Sequence, residues 1–207
     1  MLGGTLRAGI LLTGENDRMR SDHGGTSSPQ VGIGLPVFNG EGYLEEALDS
    51  ILAQTHKDFE LIISDNASTD RTRQICRTYA AHDPRVRYYR NKENLGASRN
   101  FNRVFELSSG KYFKWAAHDD LLAPEFLAKC VEVLERDPSV VLCHSGTMCI
   151  DKHGRWIRRN KSSNGGYSQK PHERFRAQLS FFKPCWKIFG LIRADSLRKT
   201  PIMGEYI

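Results

Sequence analysis

Carboxylates and carboxamides gather where short apolar runs end: Asn39 after one, Asp65-Asn66 and Asp70 after the next, Asn91 to Asn100 after a third, and Asp119-Asp120 after a fourth. Three of those four ends are rich in Asp or Asn. Side chains of this kind suit a polar ligand and a hard cation, which prefers oxygen ligands. Phosphate recognition through a glycine-rich cradle is excluded. The first turn lacks GxGxxG and carries Pro36 where such a loop needs glycine, and a Walker A loop is also missing. A bound nucleotide would need another source of positive charge for its diphosphate.

The elements that must hold these residues follow from the apolar pattern. Val31 to Val37 reads as a buried strand, and Leu44, Ala47, Leu48, Ile51 and Leu52 mark one face of a helix. Phe59 to Ser64 is a second strand, followed by a helix with Ile75, Cys76, Tyr79 and Ala80 inward and Ser68-Thr69-Asp70 as capping residues at its start. Val86 to Tyr89 and Lys111 to Ala117 are further strands. Phe101, Val104 and Phe105 line the helix between them, and Phe126, Leu127, Cys130, Val131 and Leu134 the helix after. Four strand–helix repeats make an α/β protein whose mostly parallel sheet carries helices on both faces. In such a sheet the ligand binds at the carboxyl ends of the strands, where the polar clusters fall.

From Val140 the pattern is mixed. Val140 to Ser145, Met148 to Ile150 and Trp156-Ile157 read as short strands, with a turn at Lys152-His153-Gly154. Asn160 to Lys170 is a polar loop, Pro171 opens a short helix carrying Phe175, Leu179 and Phe182, and Ile188 to Ile192 is a last strand. Residues 1–28 are rich in Gly, Ser, Thr and charge, with no apolar period, which predicts disorder; Met19 would serve equally well as a start.

Composition is that of a soluble globular protein: 207 residues, 39% hydrophobic and 26% charged. No apolar run approaches the ~20 residues needed to span a bilayer, and no export signal precedes Glu15. The five cysteines form no CxxC pair, and Cys76, Cys130 and Cys143 sit at apolar positions, as reduced buried thiols of a cytoplasmic protein do. The net charge of +6 is uneven, with Lys152, Arg155, Arg158, Arg159 and Lys161 close together and Lys183, Lys187, Arg193, Arg198 and Lys199 following. Such a face suits anionic membrane lipid or a pyrophosphate-bearing substrate, and equally a solvated surface. No nucleic-acid-binding motif accompanies it.

Four segments in order, PVFNGEGYLEEALDSILAQT, FELIISDNASTDRT, NKENLGASRNFN and GKYFKWAAHDD, resemble the first half of family 2 glycosyltransferases from Val31 to about Asp151. The stretch FFKPCWKIFGLIRADSLRKT resembles the region before the catalytic base of bacterial members. The resemblance implies a GT-A domain over residues 29–207. Its nucleotide-binding part covers 29–123 and the start of its acceptor-binding half covers 124–207. The catalytic base itself is then expected beyond Ile207, the last residue of the chain.

The resemblance further implies sugar transfer with inversion from a nucleoside diphosphate donor, UDP-linked by default, to a hydroxyl on a glycan, a lipid-linked glycan or another acceptor. The expected setting is the cytoplasm, at the inner face of the membrane if peripherally associated. On this parallel Pro36, Phe38, Asn39 and Asn66 line the nucleotide pocket, and Asp65 accepts a hydrogen bond from the base. Glu41 contacts the nucleoside or begins the helix. Asp120 holds Mg²⁺ or Mn²⁺, with Asp119 completing the pair and reaching ribose or sugar hydroxyls. Arg99 faces an Asp or a phosphate, while Asn94 and Gly96 shape their loop. Ala117 stands where many members carry a further Asp, so the metal would rest on fewer carboxylates. Within the chain, Glu205 is the late carboxylate closest to where a base belongs, and Asp195 reads instead as a helix start.

Two other enzyme classes fit less well. A nucleotidyltransferase would want a basic, glycine-rich loop where FNGEGYLEE stands, and a nicotinamide oxidoreductase needs the missing fingerprint. A non-catalytic nucleotide-sugar or carbohydrate-binding module remains the alternative from another class.

Overall fold

Val31, Ile33, Leu35 and Val37 point to one side of their strand and are fully or almost fully buried, while Gly32 and Gly34 face the other. That alternation places strand β1 (Val31–Val37) at the centre of a sheet covered on both faces. In the computed structural model, which describes residues 28–151, 154–160, 170, 172, 173, 176 and 186–204, β1 pairs in parallel with β2 (Phe59–Asp65) and β4 (Tyr112–Trp115). Beyond β2 lies β3 (Val86–Arg90), also parallel. On the other side β8 (Leu191–Arg193) runs antiparallel to both β4 and β5 (Leu142–Cys143). The sheet order is β3-β2-β1-β4-β8-β5, and β6 (Thr147–Ile150) and β7 (Trp156–Asn160) form a separate hairpin.

Helices α1 (Leu44–Leu52), α2 (Thr72–His82) and α4 (Phe126–Arg136) pack on the face of Val31 and Ile33. Helix α3 (Ala97–Glu106) and the short α5 (Ala194–Leu197) cover the other, where Phe105, Phe113 and Trp115 meet edge to face or tilted. Gly34 lets α3 come close, because a Cβ there would lie 2.6 Å from Val104. Cys76 and Cys130 are buried as expected, and burial pushes the Cys76 thiol up to about 12. No helix among the described residues is long and apolar enough to cross a membrane.

The four parallel repeats stand where the sequence places them. One expectation fails: Ile188 to Ile192 is not one strand. Trp186–Phe189 forms a 3-10 turn, Gly190 follows, and β8 begins at Leu191. Gly190 sits 2.7 Å (as a virtual Cβ) from the Cys143 carbonyl, so the chain there is wedged against β5 and cannot extend further. Asp195 does open a helix, in the first turn of α5. Residues 1–27, the turn residues Lys152-His153, the loop 161–169, Pro171, Phe175, Leu179 and Phe182, and the last three residues from Glu205 to Ile207 lie outside the described residues.

Candidate active site

The carboxyl ends of β1, β2, β3 and β4 lie side by side, and the loops leaving them carry the predicted residues. Pro36 is buried in β1 opposite Ser64, and Phe38 just beyond is 46% exposed. Asn39 has φ 51°, a left-handed conformation that asparagine tolerates better than most residues. This turn is sewn to the loop after β2. Asn39 N–H donates to Ser68 Oγ (3.0 Å), Gly40 N–H to Thr72 Oγ1 (2.8 Å) and Glu41 N–H to Asp70 Oδ2 (3.1 Å), while Thr69 N–H donates back to Asn39 Oδ1 (2.9 Å). Glu41 does not begin α1, which starts at Leu44; its carboxylate accepts the Arg71 N–H at 3.0 Å, at the start of α2. Asp70 caps the same helix through the Thr72 N–H (3.0 Å).

Asp65 ends β2 with no exposed surface. Its Oδ1 accepts the Ser68 N–H (2.8 Å), and its Oδ2 accepts both the Tyr88 hydroxyl and Arg90 Nη1 at 2.7 Å. Burial alone would raise this carboxyl, but the bonds from Ser68, Tyr88 and Arg90 outweigh it and hold the group below the ordinary value. Asp65 is therefore a charged organiser of the β2 and β3 ends. Asn66 is buried too; its Oδ1 accepts from Asn91 Nδ2 and Leu95 N–H, and its Nδ2 donates to Asn94 Oδ1 (2.7 Å). Asn100 closes the set, accepting from Ser64 Oγ (2.7 Å) and Asn91 Nδ2 (3.1 Å). Asn94 and Gly96 shape this loop, as expected: Asn94 Oδ1 takes the Gly96 N–H, and Gly96 has φ 81°. Tyr88 and Arg90 escaped the sequence reading, which placed Asn91 to Asn100 at the end of β3 without their bonds to Asn66 and Ser64. Period-two spacing beside Asp65 would have found Tyr88 and Arg90, since Arg90 registers with Asp65 and Tyr88 with Ile63.

Asp119 and Asp120 are exposed in the loop from β4 to α4. Partial burial raises the Asp120 carboxyl, the neighbouring Asp119 charge raises it further, and Lys114 and His118 oppose both. Among the described residues no group of three or more His, Cys, Asp or Glu side chains could hold a metal. The pair thus fits a hard cation that completes its shell with phosphate and water, and Ala117 adds no ligand. The pair shares no hydrogen bond with the Asp65 network. The link is a contact: a Cβ at Gly40 would lie 2.8 Å from His118 Cδ2, so the loops after β1 and β4 touch. Beside Asp119 opens a depression lined by Tyr43, Glu46, Leu121, Ile150, Asp151 and Gly154, which brings the β6–β7 hairpin to the site. Arg99 is exposed in the first turn of α3. Glu205 and Ile207 lie outside the described residues, so neither the late carboxylate nor a base past the last residue is part of the geometry described.

Polar clusters at the ends of β1 to β4, beside the point where strand order reverses, are the geometry of a nucleotide site in an open α/β sheet. Comparison with known proteins decides the family, because the glycosyl transferase family 2 domain matches residues 33–200. This chain belongs to glycosyl transferase family 2. An uncharacterized glycosyltransferase of Rickettsia typhi, RT0329, is 35% identical over 151 residues, covering 72% of this chain and 43% of that protein. An uncharacterized glycosyltransferase of Methanocaldococcus jannaschii, MJ1057, is 28% identical and covers 76% and 55% respectively. The family 2 chain thus spans about half the length of these two relatives, and about a fifth of a Rickettsia bellii glycosyltransferase that it matches at 34% identity. Among solved structures, residues 1–349 of S. aureus TarS superpose with a TM-score of 0.59 at 16% identity, over 82% of this chain and 48% of that one. The mannosyltransferase PcManGT of Pyrobaculum calidifontis, in complex with GDP-Man and Mn²⁺, gives 0.56 at 21% identity over 84% and 47%. At these identities the likeness establishes the GT-A fold of the family 2 glycosyltransferase.

Proposed function

We propose that this chain forms the donor site of an inverting glycosyltransferase that takes a sugar from a nucleoside diphosphate and passes it to an acceptor hydroxyl. The observation that carries the proposal is the Asp119-Asp120 pair, exposed at the end of β4 and touching, through His118, the β1 loop that is sewn to the end of β2. Support comes from family membership and from structural neighbours solved with UDP, UDP-GlcNAc and GDP-Man.

Asp120, with Asp119 beside it, would hold Mg²⁺ or Mn²⁺. When bound, such a cation neutralises the departing diphosphate as a Lewis acid. The chain's own residues do the rest. Pro36, Phe38 and Asn39 present backbone and a ring to the nucleoside. Asp65 and Asn66 fix the β2 and β3 ends beneath it, and because Asp65 has no exposed surface a base N–H would reach its carboxylate only by displacing the Tyr88 or Arg90 donor. Inversion requires a base on the face of the sugar opposite the leaving group. Within this chain Glu205 is the candidate for that base. UDP is the default nucleotide. A glycan or lipid-linked hydroxyl is the acceptor class, with the cytoplasmic membrane face as its setting.

The test is calorimetric titration of UDP, GDP, CDP and dTDP into the folded chain, with Mn²⁺ and with chelator, for wild type and Asp120→Asn. The expected result is Mn²⁺-dependent binding of one diphosphate, weakened at least about tenfold in the variant, as for loss of a charge-assisted contact. Metal-independent binding, or binding that survives Asp120→Asn, refutes the assignment of the pair.

A further inference from the structure

Lysine is almost never fully buried without a charged partner, yet Lys114 on the central strand β4 is 4% exposed and belongs to none of the ion pairs among the described residues. Its ammonium has three protons to donate and, among the described residues, makes two hydrogen bonds, to the carbonyls of Trp115 (3.0 Å) and Phe189. It also stands over the rings of Phe126 (4.9 Å) and Phe189 (6.0 Å). Carbonyl dipoles and ring faces offset part of the cost of removing an ammonium from water, and several kcal/mol of penalty is typical of a buried ion. A methionine would fill the same space without that cost. Local rules broken in this way cluster at functional sites.

The three segments that enclose Lys114 show which site. Trp115 ends β4, Phe126 opens α4, and the loop between them carries Asp119 and Asp120. Phe189 ends the 3-10 turn that packs against the same end of β4. The ammonium therefore touches the residue that ends β4 and the residue that opens α4, the two anchors of the acidic loop. With a divalent cation on two carboxylates the site is neutral; adding a diphosphate makes it net negative. A fixed positive charge at the anchors of the loop favours the second state and gains nothing from the first.

We propose that Lys114 is a positioning residue of the donor site, a buried cation that selects the metal-diphosphate complex over the metal alone and latches the Trp186–Phe189 turn to the β4–α4 loop. Because it acts on the donor site, this role rests on the function proposed above. The test compares wild type, Lys114→Met and Lys114→Arg by thermal unfolding, by calorimetry with Mn²⁺ plus UDP or GDP, and by electron paramagnetic resonance with Mn²⁺ alone.

The expected Lys114→Met protein melts no lower than wild type and binds Mn²⁺ alone undiminished. It binds the Mn²⁺–diphosphate pair about tenfold more weakly, the order expected for losing one fixed charge near the ligand at an effective dielectric constant of about 20. If Lys114→Met melts lower and binds weakly, affinity in Lys114→Arg decides: recovery supports the charge, and failure to recover overturns it. Unchanged diphosphate affinity in Lys114→Met overturns the proposal while the donor site stands. If the folded wild type binds no diphosphate at all, the donor site itself falls, and this role with it.

Discussion

A carboxylate with no exposed surface keeps its charge only through its partners, and Asp65 has three of them. Its folded value lies below the ordinary one, so it stabilises the fold above about pH 4, and that contribution is lost as pH falls through the lowered value. Tyr88→Phe removes one donor and leaves Arg90 and Ser68 in place. The expected cost is about 1.5–3 kcal/mol at neutral pH, the range for one hydrogen bond to a charged group, shrinking in acid. Urea unfolding at pH 7 and below pH 4 checks both parts; a cost that stays constant with pH would show that Tyr88 supports packing and not the charge. Lys114 is the opposite case, a charge whose partners are carbonyls and rings, and its cost to the fold is the reason for assigning it a role. Asp120 stands between these cases, exposed and repelled by its neighbour, ready for a cation.

The elements hold those residues through close backbone approaches. Gly110 lies where the chain turns into β4, and a Cβ there would meet the Gly32 nitrogen at 2.3 Å and the Tyr112 carbonyl at 2.7 Å. Gly110→Ala must push β1 from β4 at their amino ends, far from the acidic loop. A loss of about 1–3 kcal/mol is expected, the cost of overpacking a tight site, with diphosphate affinity of the folded protein unchanged. Denaturant titration followed by calorimetry separates the two.

Most of this level was legible in the residues. Val31–Val37 matches its apolar run end to end, and the parallel repeats follow from the alternation of strand and helix periods. The 3-10 turn before β8 was not legible, because KIFGLI has the composition of a strand and the contacts that hold the turn, to Lys114 and Cys143, come from distant segments. The asparagine network of Asn66, Asn91 and Asn100 was also hidden. Carboxamides separated along the chain meet only after β2, β3 and α3 are packed. For the same reason, nothing in the string YFKW says that its lysine is inside.

Taken whole, the molecule is a sheet of graded security. β1 has parallel neighbours on both sides and helices on both faces, whereas β6 and β7 pair with each other alone, with Met148 and Ile157 more than half exposed. Hydrogen exchange should accordingly be slowest in β1 and β2 and fastest in the β6–β7 hairpin. A hairpin as protected as β1 would show that more covers it than its own pairing. Ile150, Asp151 and Gly154 of the hairpin line the depression beside Asp119, so motion there alters the mouth of the site and leaves the floor still.

The strand order also carries a consequence for biosynthesis. β8 sits between β4 and β5, although β5, β6 and β7 are all made before it. During translation β4 emerges with one edge unpaired, and β5 has no place in the sheet until Leu191–Arg193 has left the ribosome. Bare edges invite pairing with other chains, and nascent proteins with such late closures are the ones chaperones shield. For this protein the hazardous interval lies between the making of β4 and the making of β8, and it closes when one short strand covers the edge of β4 and gives β5 its place.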